Sequence, residues 1–124
     1  MRVPAVARDA GPPRAVAPPL PMDVRVAFLG DDGAYMGPFY DPRPDAAALV
    51  RPCFERARDA DRTLAGFILF DVALTQGAPA RVSTREASAL PASLVACAAT
   101  ALEALRPRDP TFVPAPSVAY VSVR

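Results

Sequence analysis

Residues 64–75 read Leu-Ala-Gly-Phe-Ile-Leu-Phe-Asp-Val-Ala-Leu-Thr, and the fold turns on this stretch. Ile68, Phe70, Val72 and Leu74 recur at every second position, with Phe67, Leu69, Asp71 and Ala73 between them. Successive side chains of an extended chain point to opposite faces, so this pattern predicts a strand with the first set toward a core. The second face carries a single charge, Asp71, which predicts partial cover by the N-terminal arm or by a partner. Thr75-Gln76-Gly77-Ala78 reads as a turn. Residues 80–87 then read as a second strand, with Val82 and Thr84 on one face and Arg81, Ser83 and Arg85 on the other. The two strands predict a hairpin.

Helical spacing flanks this hairpin on both sides. Upstream, Asp45 is placed to cap a helix over residues 46–60, where Leu49, Cys53 and Ala57 form one apolar stripe beside Val50 and Phe54. Pro52 lies within it, and a proline inside a helix removes one backbone bond and costs about 3 kcal/mol. A kink is therefore expected there, or a short first turn and a restart at Pro52. Downstream, Pro91 suits the opening turn of a second helix, in which Leu94, Cys97, Ala98, Ala101, Leu102 and Leu105 recur at three- and four-residue intervals. Arg106-Pro107 is expected to stop it. Val118, Tyr120 and Ser122 then alternate with Ala119, Val121 and Val123 in a closing strand.

Residues 23–29 alternate as well, with Val24, Val26 and Phe28 against Arg25 and Ala27. Gly30-Asp31-Asp32-Gly33 is a turn signal, and residues 34–36 could return as a hairpin arm. Prolines at 4, 12, 13, 18, 19 and 21 mark residues 1–22 as an extended linker or tail. The expected class is α+β, a single domain over residues 23–124. Two helices pack on one face of a small, mainly antiparallel sheet in the order α-β-β-α-β, with an N-terminal strand or hairpin added.

Composition excludes several functions. The 124 residues contain no His and no Trp, all 14 basic residues are Arg, and the formal net charge is +1. Without His there is no Ser-His or Cys-His nucleophile pair, and the commonest zinc ligand is missing beside the two cysteines, so no metal site and no cofactor are expected. Asp31-Asp32 between glycines suits a turn. Asp71 suits a solvent-facing carboxylate or one paired with Arg81 or Arg85. Ser83, Ser88 and Ser93 have no His to activate them. No catalytic residue is assigned. A small enzyme using carboxylates remains the least favoured alternative. No basic field follows a phosphate backbone, so no nucleic-acid partner is expected. No stretch reaches the roughly 20 apolar residues of a membrane span, so no membrane insertion by this segment is expected. Residues 2–9 are too short and too broken for a signal peptide.

Cys53 and Cys97 each fall on the apolar stripe of a helix. If the helices lie side by side the two can meet at disulfide distance. Two buried thiols acting as small hydrophobes fit the same spacing, which leaves both readings open. A redox-active pair is disfavoured, since the cysteines are not in Cys-x-x-Cys arrangement and no acidifying neighbour is evident.

Leu49-Val-Arg-Pro-Cys-Phe-Glu-Arg-Ala57 resembles the opening helix of the AgmX/PglI C-terminal family, a relative of the TonB C-terminal domain. Leu64-Ala-Gly66 followed by an alternating strand, the turn at Gln76-Gly77, and Leu90-Pro91 ahead of Leu94-Val-Ala-Cys97 are similar to that family in order, as is the closing strand at 118–123. The resemblance covers about residues 45–124. It implies a Cys53–Cys97 disulfide, a periplasmic or cell-envelope location, and a proline-rich stretch that serves as a periplasm-spanning tether. It implies a non-enzymatic interaction domain with an envelope protein partner, bound by strand addition at a sheet edge. Val118, Tyr120 and Ser122 on the closing strand are the expected contact residues. A structural subunit of a larger envelope complex is the alternative.

Overall fold

In chain order the elements are β1 (Val24–Leu29), α1 (Ala46–Ala60), β2 (Gly66–Ala73), β3 (Arg81–Ala87), α2 (Ala92–Leu102) and β4 (Ser117–Val123). They come from a computed structural model, which describes residues 22–30, 42–109, 111 and 115–124. The hairpin arm expected at 34–36 and most of the linker at 1–22 lie outside the described residues. Met22 is described, and it packs against the core.

The alternation in residues 64–75 places its side chains as read. Ile68, Phe70, Val72 and Leu74 are all buried, while Phe67, Leu69, Asp71 and Ala73 are half-buried on the other face. β2 and β3 pair antiparallel through a turn in which Gly77 takes a φ of 64°, a left-handed value that favours glycine. The Thr75 hydroxyl closes this turn by donating to the carbonyls of Ala78 (3.0 Å) and Pro79 (3.1 Å). The register shifts between Leu69 and Phe70, which face Glu86 and Thr84, so Arg85 is the extra residue of a bulge. Below the bulge the ladder continues past β3. The Ser88 N–H donates to the Phe67 carbonyl at 3.0 Å, and the Ser88 hydroxyl accepts the Phe67 N–H at 2.9 Å.

The four strands form one sheet in the order β1-β4-β2-β3, antiparallel throughout. One core cluster gathers Val24 and Phe28 of β1, Ile68, Phe70 and Val72 of β2, and Ala119, Val121 and Val123 of β4. The same cluster takes Ala46, Val50, Cys53 and Phe54 from α1 and Leu94, Ala98 and Leu102 from α2. Both helices therefore cover one sheet face. The opposite face carries Arg25, Ala27 and Leu29 of β1, Val118, Tyr120 and Ser122 of β4, and the odd-numbered residues of β2.

Pro52 does not divide α1, which runs unbroken through it. The reason is its place on the helix. Pro52 and Ala48 are both exposed, so the carbonyl that loses its bond faces water rather than the core. Asp45 holds the N-cap position without a side-chain capping bond. In the last turn Arg58 donates from Nη2 to the Leu64 carbonyl at 2.8 Å, tying the helix end to the chain that enters β2.

α2 stops earlier than its apolar spacing indicates. Its last regular residue is Leu102, and Glu103, Ala104 and Leu105 then donate to Thr100, Ala101 and Leu102 in tight i→i−3 bonds. Arg106 closes the end by donating from Nη1 to the carbonyls of Glu103 (2.8 Å) and Leu105 (2.9 Å). Leu105 is fully buried beyond the helix, so its apolar spacing continues although the helix does not.

Candidate interaction surface

Packing settles the question that spacing left open. With α1 and α2 side by side, Cys53 and Cys97 are joined by a disulfide, S–S 2.06 Å, with their Cα atoms 5.9 Å apart. Cys53 is buried within the α1 stripe, and Cys97 is half-buried at the border of the α2 stripe. Arg56, three residues after Cys53 on α1, donates from Nη2 toward Cys97 Sγ at 3.2 Å. Sequence spacing could not show this contact, because it joins two helices.

The closing strand is not an edge. β4 pairs with β1 on one side and β2 on the other, so its backbone is occupied on both sides and cannot accept an added strand. Val118, Tyr120 and Ser122 do lie together, on the sheet face away from the helices. Val118 is buried, Ser122 is half-buried opposite Phe67, and Tyr120 is, among the described residues, the large apolar residue most open to solvent at 39%. The Tyr120 and Phe67 rings stack with centroids 5.9 Å apart and planes 3° from parallel. A signal for this interior place was present in the sequence. Residues 117–123 are apolar or small on both faces, which suits a central strand better than an edge.

Among the described strands the edges are β3 and β1, and they differ in character. β3 is exposed at every position except Val82. It carries Arg81, Arg85 and Glu86 and is distorted by the bulge at Arg85. Charge and a bulge are the usual devices that blunt an edge. β1 has neither proline nor bulge, and its one charged residue, Arg25, is paired with Asp23 at 2.8 Å. Asp23 and Arg124 exchange both backbone bonds, at 2.8 and 3.1 Å. In an antiparallel ladder the bonded pairs alternate, so Arg25 and Ala27 bond inward to β4 while Val24 and Val26 turn their N–H and C=O groups outward. No described residue pairs with those outward groups of Val24 and Val26.

No family model, curated protein or solved structure matches this chain.

Three carboxylates are tied into local structure. Asp71 is bound by Arg85, whose Nη2 lies 2.6 Å from Oδ1. Asp61 Oδ1 accepts from both the hydroxyl (2.8 Å) and the N–H (3.0 Å) of Thr63, and these bonds hold its carboxyl below the usual aspartate range. Asp109 and Thr111 repeat the arrangement, with the same lowering. A shallow depression of about 220 Å³ lies where Asp71, Ala73, Arg81 and Ser83 meet Pro116 and Ser117. Its one carboxylate is the Asp71 that Arg85 already neutralises. Among the described residues no group of three His, Cys, Asp or Glu could hold a metal, and no helix is long and apolar enough to cross a membrane.

Proposed function

We propose that this chain is a non-enzymatic interaction domain of the cell envelope, binding an extended segment of an envelope protein by strand addition along the outer edge of β1. The difference between the two sheet edges carries this reading. β3 is guarded by charge and a bulge, whereas β1 offers the outward backbone groups of Val24 and Val26 on a regular strand. An added strand would gain main-chain bonds there, and its alternate side chains would fall over the helix side and the open face of the sheet. The envelope location draws support from the Cys53–Cys97 bridge, since disulfides persist in oxidising compartments. It draws support also from the resemblance of residues 45–124 to the AgmX/PglI and TonB C-terminal domains.

A displayed library of random peptides selected on the oxidised chain tests the reading. Selected peptides should be extended, with alternating apolar positions. A Val26→Pro variant removes an outward N–H that bonds no described residue, so the described sheet should survive. Binding should then fall about tenfold, the value of one main-chain bond and its displaced neighbour. Thr84→Pro, which likewise takes an outward N–H from the guarded edge, should leave binding unchanged. Peptides that bind Val26→Pro as tightly as the parent would overturn the assignment to β1.

A second reading, a structural subunit of a larger envelope complex, is favoured by the open face. Phe67, Leu69 and Tyr120 form an apolar stripe there, unusual on a sheet face turned to water. Sedimentation separates the two. The interaction domain is expected to run as a monodisperse monomer at micromolar concentration and to melt in one cooperative step, whereas an obligate subunit would associate or melt without cooperativity.

A further inference from the structure

The two sulfurs of the bridge occupy different surroundings. Cys53 is only 6% exposed, enclosed among Val50, Phe54 and the sheet. Cys97 is half-buried, and a guanidinium stands 3.2 Å from its sulfur. Among the described residues Arg56 is the one side chain hydrogen-bonded to either sulfur. A thiol beside a fixed positive charge is more acidic than an isolated one, and a thiol in apolar surroundings is less so. Arg56 sits on the same helical face as Cys53, one turn along, and is itself exposed, so the helix supplies the charge without burying it.

From this asymmetry we propose that Cys97 is the exchanging thiol of the pair, the one that reacts first with an oxidised partner, and that Arg56 sets its reactivity. The partner class is a disulfide, either that of a dithiol oxidase or a small-molecule disulfide. In the first step the Cys97 thiolate attacks one sulfur of that disulfide. A mixed disulfide forms on Cys97, and the other sulfur of the partner leaves as a thiolate. In the second step Cys53, having given up its proton, attacks Cys97 Sγ and displaces the remaining partner sulfur. The two thiols are oxidised to the bridge, and their two protons pass to the partner, whose disulfide is reduced to two thiols. Run backwards, the same path requires attack on Cys97 and departure of the enclosed Cys53 as a thiolate, a poor leaving group in that setting. The arrangement thus favours closure of the bridge and slows its opening.

The test uses the full chain, reduced and then exposed to oxidised glutathione at pH 7. Reactions are stopped with acid at short times, and the glutathione-bearing cysteine is identified by peptide mass. Cys53→Ser and Cys97→Ser report each thiol separately. Cys97 should react at least about tenfold faster than Cys53, from access and acidity together. Arg56→Gln should slow Cys97 by about threefold, because a lost thiolate fraction is partly offset by higher intrinsic nucleophilicity. Arg56→Lys should restore most of the rate, and neither variant should shift the melting temperature of the oxidised protein. Equal rates at the two cysteines, in a folded or an unfolded reduced chain, would overturn the proposal. So would first reaction at Cys53, or an Arg56→Gln variant with an unchanged Cys97 rate.

Discussion

Replacing Cys53 and Cys97 together by alanine is expected to lower stability by about 4 kcal/mol. The bridge joins positions 44 apart in sequence, and the chain-entropy model assigns a closed loop of that size a penalty of roughly this magnitude on the unfolded state. The helices it joins already pack through Val50, Phe54, Leu94 and Ala98, so the native contacts survive the change and most of the loss should appear in the unfolded ensemble. Urea denaturation reads this directly. For a domain of this size the urea slope is on the order of 1–1.5 kcal/mol per molar, so the midpoint should fall by about 3 M. The slope itself should rise, since an uncrosslinked chain exposes more surface when it unfolds. Total stabilities run to only about 5–15 kcal/mol, so the double variant sits near the limit of folding at all. A fall of less than about 1 kcal/mol would mean that the bridge constrains little that the rest of the chain does not already constrain.

Gly66→Ala should cost about 3 kcal/mol, although it adds one methyl group at the start of a strand. The backbone at Gly66 has a φ of 155°, which side-chain-bearing residues rarely adopt. A methyl group there would run into the Ser88 hydroxyl and press on the Leu90 side chain. That hydroxyl cannot swing aside without loss, because it holds the Phe67 N–H at 2.9 Å. Backbone strain of about 1–3 kcal/mol and overpacking of similar size together give the estimate. The steric part can be isolated. Ser88→Ala alone loses one hydrogen bond, about 1 kcal/mol. In the Gly66→Ala/Ser88→Ala double variant the obstructing oxygen is gone, so the two effects should sum to at least 1 kcal/mol less than additivity demands. Strict additivity in denaturation midpoints would show that the hydroxyl is not what excludes a side chain at position 66.

Gly66 also illustrates how much of this fold could be read from residues alone. The strand that follows it was legible because every core-facing position is large and apolar, and β1 on the same ground. β3, with no buried residue, was legible from the turn before it and its alternation, and the helices from their three- and four-residue stripes. Periodicity reports which face a residue lies on. It is silent on which strand lies beside which, and so β4 was read as an edge when it is interior. Of the two readings at Pro52 the restart does not occur, and α2 ends earlier than read, for a different reason. Each depends on where one backbone carbonyl finds a partner, water in the first case and i→i−3 donors with Arg106 in the second, and side-chain pattern carries little of that information. The resemblance implied the bridge, but the Arg56 contact that distinguishes its two sulfurs belongs to the packing of α1 on α2.

The interior position of β4 has a consequence for the order of events when the chain is made. β1 has its described ladder only with β4, and β2 with β3 alone is a two-stranded hairpin, a unit marginal in water. The sheet therefore cannot close until residues 117–123 have left the ribosome, whatever the earlier segments have done. Until then residues 24–87 lack their central strand, and assembly of the sheet waits on the event that brings β1 and β4 together. A chain built this way stays threadable until residues 117–123 have emerged.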